Sequence, residues 1–325
     1  MQRRFSGSAA VLTAVLATFV HTPANATTYT IKDLGSLGGT PALGTNAAAI
    51  SNNGQIVGSS AASNGHTHAF LWSNGVITDM TPGSTNDTYA TSINALGDFC
   101  GYMLTPNVPT PTGFLILHGA GPGNFRYQFP GYALGVNRYD TIVGRDENGY
   151  AAEWPLSAPK KVLSPTVSQA DSINIYGDVV GSIGATAAEW KNGVHYLTGG
   201  VEARAISNFG VIVGLLYDQY NNPHAAQYLN GAWVAMAAPT GPSLYSAAFA
   251  VNNNGVMGGY ITWYGQPHAC LWTSASVFPQ MVDLAVSNPI PGMSLQYVAG
   301  INDNGVLAVA GTVNGAVHSF VLTPQ

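Results

Sequence analysis

One pattern of apolar, polar and turn residues recurs along the chain and predicts its basic element. Each copy has Ile or Val, then Asn or Ser, two variable residues and a turn residue, usually Gly. The first residues of the copies, which we call anchors, are Ile50, Ile93, Val136, Ile173, Ile206, Val251 and Ile301. Because Asn and Ser side chains bond the backbone at turns and Gly adopts the left-handed conformation, each copy predicts a β-hairpin. Asp140 replaces the turn Gly in the third copy, and Asp tolerates that conformation.

A second apolar segment follows each hairpin and predicts a third strand. It reads His68-Ala69-Phe70-Leu71-Trp72 in the first copy, with counterparts at 113–117, 150–154, 186–190, 224–228, 268–272 and 318–322. A turn such as Ser73-Asn74-Gly75 then leads into a fourth strand, Val76 to Met80 in the first copy. Four short strands in each unit of about 33–50 residues are typical of a β-propeller blade. The residue before every anchor is small, which predicts close packing of the first strand: Ala49, Ser92, Gly135, Ser172, Ala205, Ala250 and Gly300.

The two ends of the chain complement each other. The seventh unit stops at Thr323-Pro324-Gln325, directly after its third strand, whereas Tyr29 to Leu34 resembles a fourth strand. We therefore predict an all-β, seven-bladed β-propeller with four antiparallel strands per blade, in which the N-terminal strand completes the last blade and closes the ring. An open solenoid is the alternative, and it would not need a borrowed strand. A closed ring has no free sheet edge for association, so we expect a monomer.

The first 26 residues predict an export signal. Arg3 and Arg4 form a basic segment, residues 9–20 an apolar run, and Ala24-Asn25-Ala26 a small-residue cleavage site. The apolar run is shorter than the roughly 20 residues of a membrane-spanning helix, so we predict no membrane span. We expect cleavage after Ala26, a single domain over residues 27–325, and a periplasmic or secreted protein.

Composition excludes several classes of protein. Charged residues make up only 8% of the chain and hydrophobic residues 46%, which excludes intrinsic disorder and indicates a large core. The net charge of −5 argues against a nucleic-acid partner, because neutralising phosphates requires clustered Lys and Arg. Cys100 and Cys270 lie at different repeat positions, and we expect two buried free thiols rather than a disulfide.

Three features together resemble a known family. They are the segment Asp33-Leu34-Gly35-Ser36-Leu37-Gly38-Gly39, the Ile-Asn/Ser-x-x-Gly turns, and His-Ala-Phe-Leu-Trp followed by Asn-Gly. In these features the chain resembles the bacterial HAF-repeat extracellular proteins over essentially all of its predicted mature length, most weakly at Gly113–Leu117. The resemblance implies secretion and a propeller-like repeat. It implies no particular activity, substrate or catalytic residue.

Motifs for catalysis and metal binding are missing from the sequence. There is no Gly-x-Ser-x-Gly, no P-loop and no dinucleotide fingerprint. Four third strands begin with a histidine, namely His68, His224, His268 and His318. Third strands of neighbouring blades diverge around a ring, so these histidines cannot converge on one ion, and we expect each to bond local groups. We predict no metal and no cofactor.

Aromatic residues in two loops form the first candidate site. Loops between second and third strands open on the same face as the connections between blades, and variable loops on a rigid scaffold commonly bind ligands. Aromatic faces beside polar groups suit sugar rings or aromatic partners. The candidate ligand-binding residues are Tyr217, Tyr220, His224, Trp263, Tyr264 and His268. They favour a non-catalytic binding or scaffold protein that recognises a glycan, a peptide or a surface partner; aromatics that merely pack on their own blade are the alternative.

Charged residues near the innermost strands form the second candidate site. Asp171 and Arg204 occupy equivalent positions in adjacent units, with Glu202 and Arg145 nearby. Arg204 could bind an anionic group while Asp171 or Glu202 accepted a proton, as weak catalytic candidates in a secreted hydrolase or lyase acting on a polysaccharide or other polymer at the channel mouth. A structural ion pair between Asp171 and Arg204 is the alternative.

Overall fold

The computed structural model describes residues 27–39, 44–238, 245–274, 280–282 and 286–325. The predicted signal segment, residues 1–26, lies outside these ranges. Within them all regular secondary structure is β-strand. A search of the same ranges finds no helix with the length and hydropathy needed to span a membrane.

The strands follow the seven sequence repeats in chain order. Before the first repeat comes β1 (Tyr29–Asp33). The first repeat contains β2 (Thr45–Ile50), β3 (Ile56–Ala61), β4 (Thr67–Ser73) and β5 (Val76–Asp79). The second and third contain β6 (Asp87–Ile93), β7 (Phe99–Leu104), β8 (Thr112–Ile116), β9 (Tyr127–Val136), β10 (Ile142–Asp146), β11 (Tyr150–Trp154) and β12 (Lys161–Ile173). The fourth and fifth contain β13 (Val179–Ile183), β14 (Thr186–Trp190), β15 (Val194–Tyr196), β16 (Glu202–Ile206), β17 (Ile212–Tyr217), β18 (Pro223–Leu229) and β19 (Ala232–Ala235). The sixth and seventh contain β20 (Ser246–Val251), β21 (Met257–Trp263), β22 (Gln266–Trp272), β23 (Gln280–Met281), β24 (Met293–Ile301), β25 (Leu307–Val313) and β26 (Ala316–Pro324).

These strands form antiparallel sheets, one of which is larger than the sequence predicts. The first, fifth and sixth repeats each form a four-stranded sheet, but β6 to β15 form one ten-stranded sheet. The cause is that β9 and β12 each end one repeat and begin the next: β9 pairs with β8 through residues 127–130 and with β10 through residues 131–136. Between the two halves of β9 the backbone turns at Gly131, whose φ is +130°. The turn therefore needs no separate loop, and the two strands merge.

The N-terminal strand joins the last repeat. β1 pairs antiparallel with β26, from Tyr29 opposite Pro324 to Asp33 opposite Phe320. The sheet of the seventh repeat is thus ordered β1-β26-β25-β24, with its fourth strand drawn from the opposite end of the chain. The first strands of successive repeats also contact one another, in the order β2, β6, β9, β12, β16, β20 and β24, and β24 contacts β2.

In the five hairpins that have Asn after the anchor, this residue has a local and a longer-range role. Asn94 Oδ1 accepts hydrogen bonds from the amides of Leu96, Gly97 and Asp98 at 2.9–3.1 Å, which confirms the predicted turn chemistry. Asn94 Nδ2 donates to the carbonyl of Asn137, the equivalent residue of the next repeat, at 3.0 Å. The same inter-repeat bond, which we call the Asn latch, is made by Asn94, Asn137, Asn174, Asn252 and Asn302.

Each first strand carries a β-bulge two residues before its anchor. The bulged residues are Ala48, Thr91, Leu134, Asp171, Arg204, Phe249 and Ala299. Opposite the bulge the second strand carries Gly in six repeats, because a Cβ there, for example at Gly214, would lie about 2.0 Å from a carbonyl oxygen of the first strand; the seventh repeat has Val309 at this position. This contact explains the Gly that follows most turns in the sequence.

The core lies between neighbouring repeats. One cluster joins Cys100 and Leu115 of the second repeat to Ile142 and Trp154 of the third, and other clusters repeat this arrangement. The predicted close packing of first strands is confirmed, since a Cβ at Gly135 would lie 3.2 Å from the Asp171 carbonyl oxygen. Cys100 and Cys270 are buried thiols and are not joined in a disulfide, as expected, and burial raises the pKa of the Cys100 thiol to about 12.

Candidate functional site

The bulged residues divide into a large and a small set. Leu134, Asp171, Arg204 and Phe249 belong to the third to sixth repeats, whereas Ala48, Thr91 and Ala299 belong to the other three. All are half-buried. The sequence prediction that Asp171 and Arg204 are equivalent is therefore confirmed, and the backbone places a carboxylate, a guanidinium and an aromatic ring side by side on consecutive inner strands.

Arg204 is held between a carboxylate and an aromatic ring. Its Nε donates to Glu202 Oε2 at 2.9 Å, and its guanidinium carbon lies 4.8 Å from the centroid of the Phe249 ring. Phe249 also stacks on Tyr260 and meets the edge of Tyr297, at centroid distances of 5.8 and 5.6 Å. The ion pair and the cation–π contact fix the guanidinium beside an aromatic surface.

The carboxyl group of Asp171 is only partly hydrogen-bonded. Its Oδ1 accepts from Gln169 Nε2 at 2.5 Å, whereas Oδ2 is buried without a hydrogen-bond partner. Burial, reinforced by the negative charge of Glu202, raises the pKa of Asp171 to about 7. A carboxyl group with this pKa exchanges its proton near neutral pH, as a general acid or base requires.

The four predicted charged residues do not all meet. Arg204 forms its ion pair with Glu202 on its own strand, so the predicted structural pair between Arg204 and Asp171 is wrong; Gln169 bonds Asp171 instead. Arg145 lies over the β10–β11 hairpin, where a Cβ at Gly149 would approach its Nη2 to 2.9 Å. Glu202 thus contacts Arg204 directly, whereas Glu202 and Arg204 act on Asp171 only through their charges.

The β17–β18 hairpin presents two of the predicted aromatic residues on a rigid turn. Asp218 Oδ1 accepts from the amides of Tyr220 and Asn222 at 2.8 and 2.9 Å, and Oδ2 pairs with His224 Nε2 at 3.1 Å. The hydrogen bond from the Asn222 amide is the main cause that holds the pKa of Asp218 far below its usual range. Tyr217 and Tyr220 are 45% and 76% exposed, so both rings are available to a ligand.

The β21–β22 hairpin presents the other aromatic residues. Tyr264 is 79% exposed at the tip of the turn, where its φ is +49°. The Trp263 ring lies 5.1 Å from the Tyr264 ring and meets the His268 ring at 6.0 Å, centroid to centroid. We call Tyr217, Tyr220, Trp263 and Tyr264 the upper aromatic residues, since both hairpins lie at the end of the sheets where the first strands begin.

Two further third-strand histidines are structural. His68 Nδ1 and His318 Nδ1 each lie 2.7 Å from a carboxylate of the adjoining fourth strand, that of Asp79 and that of Asp33 respectively. His68 Nε2 also lies 3.1 Å from the Ser84 carbonyl oxygen. No group of three or more His, Cys, Asp or Glu residues within the described ranges is arranged to hold a metal ion.

Sequence reasoning missed the aromatic and amide neighbours of the charged residues. Phe249, Tyr260 and Tyr297 surround Arg204, and Gln169 bonds Asp171. An alignment of the seven repeats on their anchors would have found Phe249, which stands at the same position as Asp171 and Arg204.

Comparison with known proteins shows the fold. No protein-family model matches the chain, and no curated protein matches its sequence. Among solved structures, a chain of the mitotic checkpoint complex is similar at a TM-score of 0.57 and 10% identity, over 100% of this chain and 99% of that one. The β-propeller domain of the Trilobed protease from Pyrococcus furiosus, which has an open velcro topology, is similar at 0.57 and 8% identity, over 86% and 97%. A prolyl endopeptidase is similar at 0.54 and 11% identity, over 92% of this chain and 50% of that one. The chain thus has a β-propeller fold.

Proposed function

We propose that this protein is an exported, seven-bladed β-propeller that binds a glycan through the upper aromatic residues and catalyses no reaction. The seven sequence repeats, the pairing of β1 with β26 and the contact of β24 with β2 support a closed ring of seven blades. The basic, apolar and small-residue segments of residues 1–26, together with the resemblance to HAF-repeat proteins, support export.

The observation that carries the binding function is the exposure of aromatic rings on preorganised turns. Tyr220 and Tyr264 are more than three-quarters exposed, and the Tyr220 turn is fixed by four bonds to the Asp218 carboxylate. A rigid turn loses little conformational entropy when a ligand binds, and the apolar face of a sugar ring packs well on an exposed aromatic face. Polar groups beside the rings, such as Asn222, can bond sugar hydroxyls.

A glycan array tests the proposal. Purified residues 27–325 are applied to the array, and the affinity of each hit is measured by calorimetry for the parent, Tyr220→Ala and Tyr264→Ala. Each substitution should weaken binding about 2- to 10-fold, since a stacked ring contributes roughly 0.5–1.5 kcal/mol. Tyr196→Ala is the control, because Tyr196 is exposed on β15, away from the hairpins. Binding to peptides alone, or to no glycan, would refute the proposal.

One observation favours a second function, that of a hydrolase or lyase. Asp171 has a pKa of about 7 and lies in the electrostatic field of Glu202 and Arg204, so an acid–base group and a cation stand together on the inner strands. Incubation with polysaccharides should then give reducing ends or unsaturated products, and Asp171→Asn should abolish them. Parent protein that releases no product would exclude this function.

A further inference from the structure

The turns between the first and second strands carry a row of exposed apolar side chains at the opposite end of the sheets. The position three residues after the anchor is the tip of each turn. In four consecutive repeats, the second to the fifth, it holds Leu96, Tyr139, Tyr176 and Phe209, which are 46%, 66%, 71% and 77% exposed. We call these four residues the lower arc.

The members of the lower arc are neighbours in space. Asn94 Nδ2 bonds the Asn137 carbonyl at 3.0 Å, Asn137 Nδ2 the Asn174 carbonyl at 3.4 Å, and Asn174 Nδ2 the Ser207 carbonyl at 3.4 Å. Each of these bonds joins the turn that carries one arc residue to the turn that carries the next. The four side chains therefore stand on adjacent turns along one face, rather than at unrelated points of the surface.

The remaining three repeats show what the fold itself prefers at this position. They hold Asn53, Asn254 and Asn304, and each Nδ2 donates to a carbonyl of the neighbouring turn: to Ala95 at 3.3 Å, to Asp303 at 2.8 Å and to Asn52 at 3.3 Å. The aromatic residues of the lower arc give up this bond and expose apolar surface to water. Structure alone gives no reason for that exchange, and exposed apolar patches on soluble proteins mark sites of interaction.

The size and charge of the lower arc define its occupant. Aromatic side chains present roughly 150–250 Å² each, so the arc exposes about 500 Å², which is less than the roughly 800 Å² per partner of a stable protein interface. Arg138 and Asp140 flank Tyr139 with opposite charges, and the Arg138 guanidinium lies 5.5 Å from the Tyr139 ring centroid. The four side chains alone thus cover less than one side of a stable interface, carry no strong net charge around Tyr139, and extend over four turns.

We propose that the lower arc binds an extended neutral polysaccharide. Successive sugar rings stack on Tyr139, Tyr176 and Phe209, which occupy equivalent positions on three adjacent turns. Both tyrosine hydroxyls and the Arg138 guanidinium donate hydrogen bonds to sugar hydroxyls. This site lies on the face opposite the upper aromatic residues, so it is separate from the site of the proposed function.

The chain itself supplies the variant that tests the proposal. Tyr139→Asn, Tyr176→Asn and Phe209→Asn are combined, because Asn already occupies this position in three repeats; the triple variant should fold with an unchanged thermal midpoint. Binding to neutral oligosaccharides of about two to eight sugars is measured by calorimetry. For the parent, affinity should rise with chain length, and the triple variant should lose at least 100-fold for the longest chains. Tyr196→Ala, the same control as above, should not change it.

Two comparisons separate this site from the proposed function. Tyr220→Ala with Tyr264→Ala should leave the length-dependent binding unchanged, and the triple Asn variant should retain binding of short glycans at the upper site. Equal affinity of parent and triple variant for long chains overturns the lower-arc proposal alone. It is equally overturned if sedimentation shows that the triple substitution dissociates a dimer, or if the arc binds phosphatidylcholine vesicles instead of polysaccharide.

Discussion

Replacing Asn302 by Asp removes the Asn latch but keeps the turn bonds that the same side chain accepts. Asn302 is buried; its Oδ1 accepts from the amides of Asn304 and Val306 at 3.0 Å, and its Nδ2 donates to the Ser51 carbonyl at 3.1 Å. Asp keeps the acceptor but places a second carboxylate oxygen against the Ser51 carbonyl. The bond to Ser51 joins the last repeat to the first, so the substitution acts on the contact between these two repeats.

The expected cost depends on pH. Above neutral pH the carboxylate loses one hydrogen bond, about 1 kcal/mol, and leaves a charged group buried against a carbonyl, a further 1–3 kcal/mol. Both effects raise the pKa of the new Asp above its unfolded value. Its protonated form can donate to Ser51, so stability is retained below about pH 4 and lost as pH rises through the folded pKa. Asn302→Ala loses all three bonds, about 3 kcal/mol, at every pH.

Urea unfolding of parent and variants at pH 4 and pH 8 measures these differences. Asn302→Asp should be destabilised by about 2–4 kcal/mol relative to the parent at pH 8 and by about 1 kcal/mol or less at pH 4. Asn304→Asp is the control, because its bond to the Asn52 carbonyl is exposed. Two results would show that the latch does not stabilise the contact between the last and first repeats. One is equal destabilisation of Asn302→Asp at both pH values, and the other is a loss of unfolding free energy no greater than that of Asn304→Asp.

Three further substitutions follow from the described contacts. Asp140→Gly should stabilise the fold by about 1 kcal/mol at pH 8 and by less at pH 4. The reasons are that Asp140 has a φ of +59° and that burial and the nearby Asp98 raise its pKa to about 6. Urea unfolding that shows no gain in stability at pH 8 would contradict this. Asp171→Asn should be more stable than the parent at pH 8, since the parent loses stability as pH rises through the folded pKa of about 7; parallel pH profiles for the two proteins would be inconsistent with that pKa. Gly214→Ala should destabilise the protein by about 3 kcal/mol or prevent folding, because its Cβ would lie 2.0 Å from a carbonyl oxygen. A thermal midpoint within about 2 °C of the parent would show instead that the backbone at the bulge can shift to accommodate the Cβ.

The sequence predicted features that depend on residues close together in the chain. The turn bonds of Asn94 and the left-handed φ of Asp140 follow from short-range chemistry, and both are found. The equivalence of Asp171 and Arg204 follows from counting residues back from the anchors. The latch bond of Asn94 to Asn137 could not be predicted, because it depends on how closely two repeats approach.

Features that depend on side-chain conformation or on the length of a connection were predicted less well. Arg204 has long, rotatable bonds and turns toward Glu202 and Phe249 rather than Asp171. Arg145 folds over its own hairpin. The merging of two strands into β9 depends on the backbone geometry of Gly131, which the residue type permits but does not require.

The β-bulge of the first strands has a consequence for the variability of the protein. The bulged residue has no partner in the ladder of hydrogen-bonded residues, and in six repeats the close backbone contact beside it is made by a Gly of the second strand. Residues as different as Ala48, Leu134 and Phe249 therefore occupy the same site on nearly the same backbone. Substitution of these side chains, taken singly or as contacting pairs such as Arg204 and Phe249, can therefore change what the inner strands recognise while the scaffold stays intact.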